Sequence, residues 1–247
     1  MSTLQNADGF VLIHGGGVET WVWNRVIPKL EFPAVAAHRI PSGANWKTLT
    51  LDQCVAFVER QAADAGLDKI IVVAHSVGGV IARELAVRAP ERVAGCVFLA
   101  ANVPTAGKTS LSMLPFVQRI QFALGAALAR RRLTPTRALK KWMADKLCHD
   151  LDEAATRQML EHGTHHEPSS LFFKPVSKRP IPQMPLTYIK LTRDRVLHPA
   201  VQDRMAANIG ARVLSIESGH TVMLSRPDEL ADALNRIAGD VFQHRIS

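Results

Sequence analysis

Three side chains with complementary chemistry follow three apolar runs that lie far apart in the sequence. They are Ser76, Asp194 and His220, and each comes within a few residues of the end of its run. A serine hydroxyl is a weak nucleophile, and it becomes reactive when a neighbouring base takes its proton and a third group orients that base. A lone aspartate or histidine in such a place is usually a turn or loop residue, and only the combination favours nucleophilic catalysis.

Ser76 lies where the sequence changes from strand to helix spacing. Residues 70–73 are the β-branched run Ile-Ile-Val-Val, which is typical of a strand buried on both faces of a parallel sheet. Apolar residues then recur at helical spacing over residues 80–89. A serine at such a turn is held clear of its own backbone, next to the free N–H groups of a helix N-terminus. Serine also caps helices without doing any chemistry, so this stretch alone leaves both interpretations open.

A second loop suited to the same chemistry follows the apolar run at residues 10–13. It reads His14-Gly15-Gly16-Gly17. Glycines after a strand allow backbone N–H groups to point at a bound anion, although a plain tight turn also uses them. In combination with Ser76, the loop predicts an oxyanion site.

Strand and helix patterns alternate along both ends of the chain. Strands are predicted at residues 10–13, 34–37, 70–73, 93–101, 186–191 and 211–216, and helices at residues 19–30, 49–65, 80–89, 196–209 and 228–242. Such alternation implies parallel strands with right-handed crossovers. We therefore expect an α/β fold with a mostly parallel sheet of about six strands and helices on both faces.

The alternation stops between residues 103 and 185. Helical stretches are predicted there at residues 111–128, 136–148 and 151–162. We expect a core of residues 1–103 and 186–247 and a helical lid of residues 104–185, inserted before the strand that carries Asp194. The lid would cover the carboxyl edge of the sheet, where open α/β proteins bind ligands. Four side chains are predicted to contact the substrate, namely His75, Phe116, Trp142 and Met143.

Composition limits the compartment and the fold class. At 247 residues and 47% hydrophobic content, the chain can bury one large core. It has no uninterrupted apolar run of about 18 residues, and its start has no apolar signal core, so we expect a cytoplasmic protein without membrane insertion. The three cysteines are widely spaced, which predicts reduced core residues and no disulfide or metal site. They are Cys54, Cys96 and Cys148.

The net charge of +8 is concentrated in the predicted lid. The densest group is Arg130, Arg131, Arg132, Arg137, Lys140 and Lys141. Neither interleaved aromatic residues nor a zinc-finger motif accompanies it, so we interpret it as a solvated helix face and expect no nucleic-acid partner. A metal site at His162, His165 and His166 is the alternative use of the lid, but Gly163 interrupts the helix that would carry it, and we expect no metal or other cofactor.

Four motifs resemble the α/β-hydrolase superfamily and cover nearly the whole chain. They are HGGG at residues 14–17, AHSVGG at 74–79, RDRVLHP at 193–199 and SGHTVMLSRP at 218–227, and the order Ser-Asp-His is that of the superfamily's triad. The chain also resembles the superfamily's small branch of plant methylesterases, hydroxynitrile lyases and bacterial pyrethroid-type carboxylesterases. The features that carry this resemblance are the absence of a leading hairpin before Phe10, the pair Trp21 and Trp23, and the ending around His220.

This resemblance implies roles for particular residues. Ser76 is then the nucleophile, His220 the base and Asp194 its orienter, while the N–H groups of Gly16 and Val77 form the oxyanion hole. The sequence departs from the commonest pattern at three places outside the lid. Ala74 replaces the first glycine of the elbow, and His38 and Arg39 follow the second strand.

The resemblance predicts a serine esterase that cleaves a small, moderately hydrophobic carboxylic ester, thioester or lactone through an acyl-enzyme. Ser76 excludes dehalogenases and epoxide hydrolases, which need a carboxylate nucleophile. Plant-branch hydroxynitrile lyases carry lysine after the catalytic histidine, where this chain has Thr221. A lyase is therefore disfavoured, and carbon–carbon bond hydrolysis stays open. A non-catalytic receptor is expected to have lost a triad member, which this chain has not. The expected partner is a small-molecule ester, and a homodimer is compatible with the sequence.

Overall fold

The structure is a computed structural model that describes residues 7–116, 118–120, 136–163 and 167–243. Its strands are β1 (Ala7–Ile13), β2 (Ala34–Ala37), β3 (Leu67–His75), β4 (Val93–Leu99), β5 (Leu186–Leu191) and β6 (Arg212–Ile216). They form one sheet in the order β2-β1-β3-β4-β5-β6, and every neighbouring pair is parallel. The predicted six-stranded parallel sheet is thereby confirmed.

Helices flank this sheet. They are α1 (Leu51–Asp64), α2 (Gly78–Arg88), α3 (Thr136–Leu147), α4 (Glu153–His162), α5 (Ser170–Phe173), α6 (Pro199–Asn208), α7 (Val222–Ser225) and α8 (Pro227–Gln243), with short 3₁₀ helices at Thr20–Trp23, Ile27–Lys29 and Leu111–Met113. Alternate residues of each strand face opposite sides of the sheet. Val11 and Ile13 therefore pack with α1, α2 and α6, whereas Phe10 and Leu12 pack with α7 and α8.

The single helix predicted at residues 19–30 is wrong. Two 3₁₀ helices, Thr20–Trp23 and Ile27–Lys29, occupy this stretch. Pro28 lies inside the second one, and proline has no N–H to continue a helical ladder from the preceding turn. The apolar spacing was sufficient to bury Trp23 and Val26, but not to impose one regular helix.

The segment between β4 and β5 packs directly on the sheet layers. Its described buried side chains join the same two hydrophobic clusters as the strands, for example Leu171 in one and Met159 in the other. Half of the helix predicted at residues 111–128 lies outside the described residues, as do Arg130, Arg131 and Arg132. The division of the chain into core and lid stays a prediction.

Two neighbouring strands place the glycine loop and Ser76 side by side. β1 is paired with β2 on one side and β3 on the other, and Ile13 of β1 is in register with Ala74 of β3. The chain crosses over in opposite directions from these two strands, which makes their carboxyl ends the expected ligand-binding crevice of an open α/β sheet. The loops after Ile13 and after His75 both begin at this crevice.

Two expectations from composition can be compared with the structure. Cys54, Cys96 and Cys148 are buried and unpaired, and burial raises the pKa of each thiol, to about 11, 12 and 11 respectively. They are therefore protonated core residues, as expected. Within the described ranges, no helix is both long enough and apolar enough to cross a membrane.

Candidate active site

The turn between β3 and α2 holds Ser76 in an unusual backbone conformation. Its φ angle is +53°, in the left-handed region that side chains other than glycine seldom adopt. Its N–H donates to the Leu99 carbonyl at 3.1 Å, and its own carbonyl accepts the Asn102 N–H at 2.9 Å. These bonds to the loop after β4 hold the strained residue in place. Its partly exposed side chain lies at the carboxyl edge of the sheet.

Two glycines allow α2 to start immediately after Ser76. A Cβ atom at Gly78 would lie 2.9 Å from the His14 carbonyl oxygen, and one at Gly79 would lie 2.7 Å from the Asn102 carbonyl oxygen. Both neighbours are backbone atoms, so neither contact could be relieved by a side-chain rotation. Ala74 stands where the commonest elbow pattern has its first glycine. The sheet accommodates its side chain, which is fully buried there.

The three side chains predicted to act together form a continuous hydrogen-bonded chain. His220 Nε2 lies 3.0 Å from Ser76 Oγ, and His220 Nδ1 lies 2.7 Å from Asp194 Oδ2. Both His220 and Asp194 are buried. Because a carboxylate accepts hydrogen bonds, Nδ1 carries the imidazole proton and Nε2 is left to accept the serine hydroxyl proton. The structure therefore brings together residues that are separated by up to 144 positions in the sequence.

Asp194 is itself held by three other donors. Its Oδ1 accepts the N–H groups of Val196 at 2.7 Å and Leu197 at 2.9 Å, and its Oδ2 accepts Gln202 Nε2 at 3.3 Å. Gln202 is fully buried, and it also bonds the N–H and carbonyl of Leu191. The sequence prediction missed Gln202. The sequence feature that could have indicated Gln202 is a polar residue on the inward face of α6.

His75 does not have the role predicted for it. Only 2% of its surface is exposed, and its Nε2 donates to the His220 carbonyl oxygen at 2.8 Å. Its ring centre lies 4.6 Å from that of His220. Burial, with a smaller contribution from His220, lowers the pKa of His75 well below 6.5. His75 is therefore a neutral support for the His220 backbone and presents no surface to a substrate.

The other predicted substrate contacts differ in exposure. Phe116 and Trp142 are 72% and 42% exposed, so their contact with a substrate stays a prediction. Met143 is buried in a hydrophobic cluster and packs so closely on Gly163 that a Cβ there would lie 2.5 Å from the Met143 methyl group. Met143 is therefore a core residue.

The glycine loop lies against the elbow. A Cβ atom at Gly15 would be 2.8 Å from Ser76 Cβ, and one at Gly16 would be 3.6 Å from Val77 Cγ1. The Gly17 N–H donates to Glu167 Oε1 at 3.0 Å. Within the part of the chain that the structure describes, the Gly16 and Val77 N–H groups have no protein acceptor. These two groups are thus available to a ligand beside Ser76.

Residues of the inserted segment hold the loop that carries His220. Asp150 Oδ2 accepts the Gly219 N–H at 2.5 Å, and the Leu147 carbonyl accepts the Thr221 hydroxyl at 2.6 Å. His220 is therefore fixed on both sides by the end of α3 and the residues after it. No local sequence pattern indicates these contacts.

Metal-binding groups are not assembled in the described residues, where no cluster of three or more histidine, cysteine or acidic side chains could hold an ion. Two members of the histidine set considered as a metal site, His165 and His166, lie outside those residues.

The sequence was compared with known families and proteins. Residues 10–233 match the Alpha/beta hydrolase family. The chain belongs to this family. Among curated proteins, the probable esterase PIR7A of Oryza sativa subsp. indica is 32% identical over 123 residues, which cover 45% of this chain and about half (46%) of that relative. Salicylic acid-binding protein 2 of Nicotiana tabacum is 27% identical over 260 residues, which cover 93% of this chain and 96% of that protein.

Solved structures share the alpha/beta hydrolase architecture. A pyrethroid hydrolase from Sphingobium faniae JZ-2 superposes with a TM-score of 0.74 at 21% identity, over 94% of this chain and 97% of that one. An extracellular alpha/beta-hydrolase from a Paenibacillus species gives a TM-score of 0.77 at 19% identity, over 92% and 98%. The predicted fold is thus confirmed, and so is the resemblance to this branch of the alpha/beta hydrolases.

Proposed function

We propose that the protein hydrolyses carboxylic esters through an acyl-enzyme. The observation that carries the proposal is the unbroken chain of hydrogen bonds from Ser76 through His220 to Asp194, at 3.0 and 2.7 Å. Membership of the alpha/beta hydrolase family supports it, as do relatives whose names include esterase and pyrethroid hydrolase.

In the first half of the reaction, Ser76 Oγ attacks the ester carbonyl carbon while His220 Nε2 takes the hydroxyl proton. Asp194 keeps the other imidazole proton on Nδ1 and stabilises the imidazolium that forms. The Gly16 and Val77 N–H groups donate hydrogen bonds to the carbonyl oxygen and stabilise the negative charge that develops on it. One such donor typically contributes about 3 kcal/mol to transition-state stabilisation. The C–O bond then breaks, and the leaving alcohol takes the proton from His220.

The second half repeats these roles with water as the nucleophile. His220 Nε2 takes a proton from water as its oxygen attacks the acyl carbon, and the same two N–H groups hold the oxyanion. Collapse of this intermediate releases the carboxylic acid and returns the proton to Ser76. Apart from the ester and water, the proposed cycle uses only groups that the chain itself provides.

Replacing Ser76 tests the proposal directly. Ser76→Ala is expected to abolish both covalent labelling by a fluorophosphonate probe and turnover of p-nitrophenyl esters, since the nucleophilic oxygen is gone. Labelling is measured by intact-protein mass spectrometry, with circular dichroism to confirm folding. A variant that turns over esters as fast as the wild type would refute the role of Ser76.

The alternatives are less well supported. A hydroxynitrile lyase of the plant branch needs a lysine where Thr221 stands, and the Thr221 hydroxyl is buried and bonded to the Leu147 carbonyl. A receptor without turnover has no need for the intact triad. Cyanide release from a cyanohydrin without ester turnover would favour the lyase.

For the substrate, we propose an uncharged, moderately hydrophobic ester, thioester or lactone. The exposed apolar side chains Phe116 and Trp142 of the inserted segment support this proposal. A panel of acyl chain lengths, aryl esters, lactones and carboxylate-bearing esters, assayed at two salt concentrations, measures the preference. Preference for an anionic ester that weakens with added salt would contradict it, since exposed charges are screened by salt.

A further inference from the structure

We infer that Arg39 and Glu167 form a positioning pair that fixes the direction of the Gly16 N–H in the oxyanion hole. The inference rests on the proposed function and adds two residues to it, neither of which touches the reacting atoms. Arg39 follows β2, whereas Glu167 lies between α4 and α5. The two residues are separated by 128 positions and meet beneath the glycine loop.

Arg39 acts on the loop through the Gly15 carbonyl. One terminal nitrogen of its guanidinium donates to this oxygen at 2.9 Å, and Arg39 is only 1% exposed. The peptide bond between Gly15 and Gly16 is trans, so its N–H points opposite to its carbonyl. With the carbonyl held towards Arg39, the Gly16 N–H is turned away from Arg39 and keeps no acceptor among the described residues.

His14 also contacts this carbonyl, but it cannot fix the loop from outside. Its Nδ1 lies 2.9 Å from the Gly15 oxygen and 3.3 Å from Arg39 Nε, and in a neutral ring this nitrogen either donates to the first or accepts from the second. Because His14 is the preceding residue, its ring moves with the loop. Burial and the charge of Arg39 lower the pKa of His14 well below 6.5, so the ring is neutral. Arg39 is therefore the charged anchor from a separate element.

Glu167 determines which glycine N–H stays free. Its Oε1 accepts the Gly17 N–H at 3.0 Å, and its two oxygens accept the guanidinium N–H groups of Arg39 at 2.8 and 2.9 Å. The carboxylate thus occupies the donor of Gly17 and leaves that of Gly16 for the substrate oxygen. The loop is held at Gly15 by one member of the pair and at Gly17 by the other.

The charges explain why both members are needed. A Cβ atom at Gly16 would lie only 3.4 Å from the Glu167 carboxyl group, so a negative charge stands close to the glycine whose N–H is the proposed oxyanion donor. The bidentate pairing with Arg39 neutralises it. Burial alone would lower the pKa of Arg39, but the charge and hydrogen bonds of Glu167 raise it above the ordinary value for an arginine, and the guanidinium stays protonated. Without Arg39, the loop would lose its anchor and the oxyanion would face an unpaired carboxylate.

The chain offers a matched control in the pair Arg83 and Glu84. Arg83 is equally buried, it is bonded to Glu84, and it donates to the Ser177 carbonyl at 3.0 Å and to the Arg179 carbonyl. Arg83 therefore connects the inserted segment to α2. In the same way, Arg39 connects the inserted segment to the glycine loop. Arg83 makes no contact with the glycine loop in the described structure, so its loss tests a structural role alone.

The test compares Arg39→Met, Glu167→Gln, the double variant and Arg83→Met. Active sites are counted by fluorophosphonate labelling, kcat and KM are measured with p-nitrophenyl butyrate, and binding of a trifluoromethyl ketone, which forms a hemiketal oxyanion with serine, gives Ki. We expect Arg39→Met to lower kcat per active site and to raise Ki by about 10- to 100-fold, with KM nearly unchanged, because only the oxyanion state needs the Gly16 donor. Glu167→Gln should lose less, because Arg39 still holds Gly15.

The double variant separates positioning from stability. Removing both charges should restore the melting temperature relative to Arg39→Met, since no unpaired buried carboxylate remains. It should leave kcat and Ki impaired, because Gly15 is still unanchored. Arg83→Met should lower the melting temperature and keep kcat per active site. Recovery of kcat together with stability in the double variant, or an equal loss of kcat in Arg83→Met, would overturn the inference.

A second variant, Arg39→Lys, tests the inference if Arg39→Met does not fold. An ammonium keeps the charge but cannot donate in one plane to Gly15 and both Glu167 oxygens, so kcat should fall at least about fivefold. Wild-type kcat and Ki in Arg39→Lys would overturn the inference.

If the wild type neither reacts with the probe nor cleaves esters, the proposed function fails. If it does both and the Arg39 variants match it, only the positioning role fails.

Discussion

At the scale of single residues, the site distinguishes its two neighbouring histidines by the partners of their ring nitrogens. His220 uses one nitrogen for Asp194 and the other for Ser76, as a relay between acid and nucleophile requires. His75 uses Nε2 for a backbone carbonyl, and its Nδ1 has no partner in the described structure. Since burial keeps His75 neutral, it does not repel the imidazolium that His220 becomes during the reaction.

Asp194→Asn is the sharpest single-residue prediction. The amide oxygen can still accept the N–H groups of Val196 and Leu197, so the fold should persist. The amide nitrogen would then donate to His220 Nδ1 and move the imidazole proton to Nε2, where it blocks proton transfer from serine. We expect kcat for p-nitrophenyl esters to fall by about 10⁴-fold.

Asp203→Asn provides the control for this variant. Asp203 lies on the same helix as Gln202, and its side chain is 52% exposed in a pair with Lys190. Exposed pairs contribute little to stability, so kcat should stay at the wild-type value. A nearly active Asp194→Asn would transfer the orienting role to another carboxylate.

At the scale of elements, the placement of α2 depends on backbone contacts that leave no room for side chains. Gly79 touches the loop after β4, and Gly78 touches the end of β1. These are the segments that hold the Ser76 backbone and carry the glycine loop. A shift of α2 would therefore move Ser76, the proposed nucleophile, and the Val77 N–H relative to the Gly16 N–H.

Gly79→Ala is expected to destabilise the protein and reduce kcat together. Its Cβ would lie 2.7 Å from the Asn102 carbonyl oxygen and 2.9 Å from Ala101 Cβ, so the helix must move. We expect a loss of about 1–3 kcal/mol in the free energy of unfolding, typical of overpacking, measured by urea titration.

Gly239→Ala is the matched change in a helix without such contacts. Gly239 lies inside α8, and a Cβ there would meet nothing within 4 Å. Alanine should stabilise this helix by up to about 1 kcal/mol and leave kcat unchanged. If Gly79→Ala and Gly239→Ala change the free energy of unfolding and kcat equally, helix propensity accounts for both results and the close contact at Gly79 has no effect.

At the scale of the whole molecule, two buried histidines predict how stability depends on pH. Burial lowers the pKa of His14 and His75 well below the ordinary 6.5. Below that pH the unfolded chain binds protons that the folded chain excludes, so stability falls as pH decreases towards the folded-state pKa values. Above pH 6.5 both histidines are neutral in both states and contribute no slope.

Urea unfolding between about pH 5 and 8 measures this dependence. Each histidine should remove up to about 1.4 kcal/mol per pH unit in the acid part of the range. His75→Gln and His14→Gln should each reduce the slope of the free energy of unfolding against pH by the contribution of about one proton. Parallel profiles for wild type and variants between pH 5 and 7 would contradict the assignment.

Exposed carboxylates act in a lower range. Hydrogen bonds from Lys146, the Ala155 N–H and Lys29 lower the pKa values of Asp145, Asp152 and Asp228 below the ordinary 3.8. The stability linked to these carboxylates is present above pH 3.8 and is lost only as pH falls below it. These three carboxylates therefore contribute no slope between pH 5 and 7.

The sequence by itself predicted the parallel sheet and the three residues of the proposed triad. β-branched runs and helical spacing are local patterns, and parallel strands bring the residues after each strand to one edge wherever they lie in the chain. Ser76, Asp194 and His220 could thus be grouped without coordinates. Serine, aspartate and histidine each follow a strand, and this shared position allowed their joint chemistry to be proposed.

Only the tertiary structure decided which buried polar groups support that triad. Gln202 under Asp194, His75 under His220 and Glu167 beside the glycine loop bond to partners that are distant in sequence. A buried polar group must find a hydrogen-bond partner, but no local pattern states which loop will supply it. That choice is made when the loops at the sheet edge and the inserted segment pack together. The two 3₁₀ helices at residues 20–29 have a different, local cause, since Pro28 cannot continue the helix that the apolar spacing predicted.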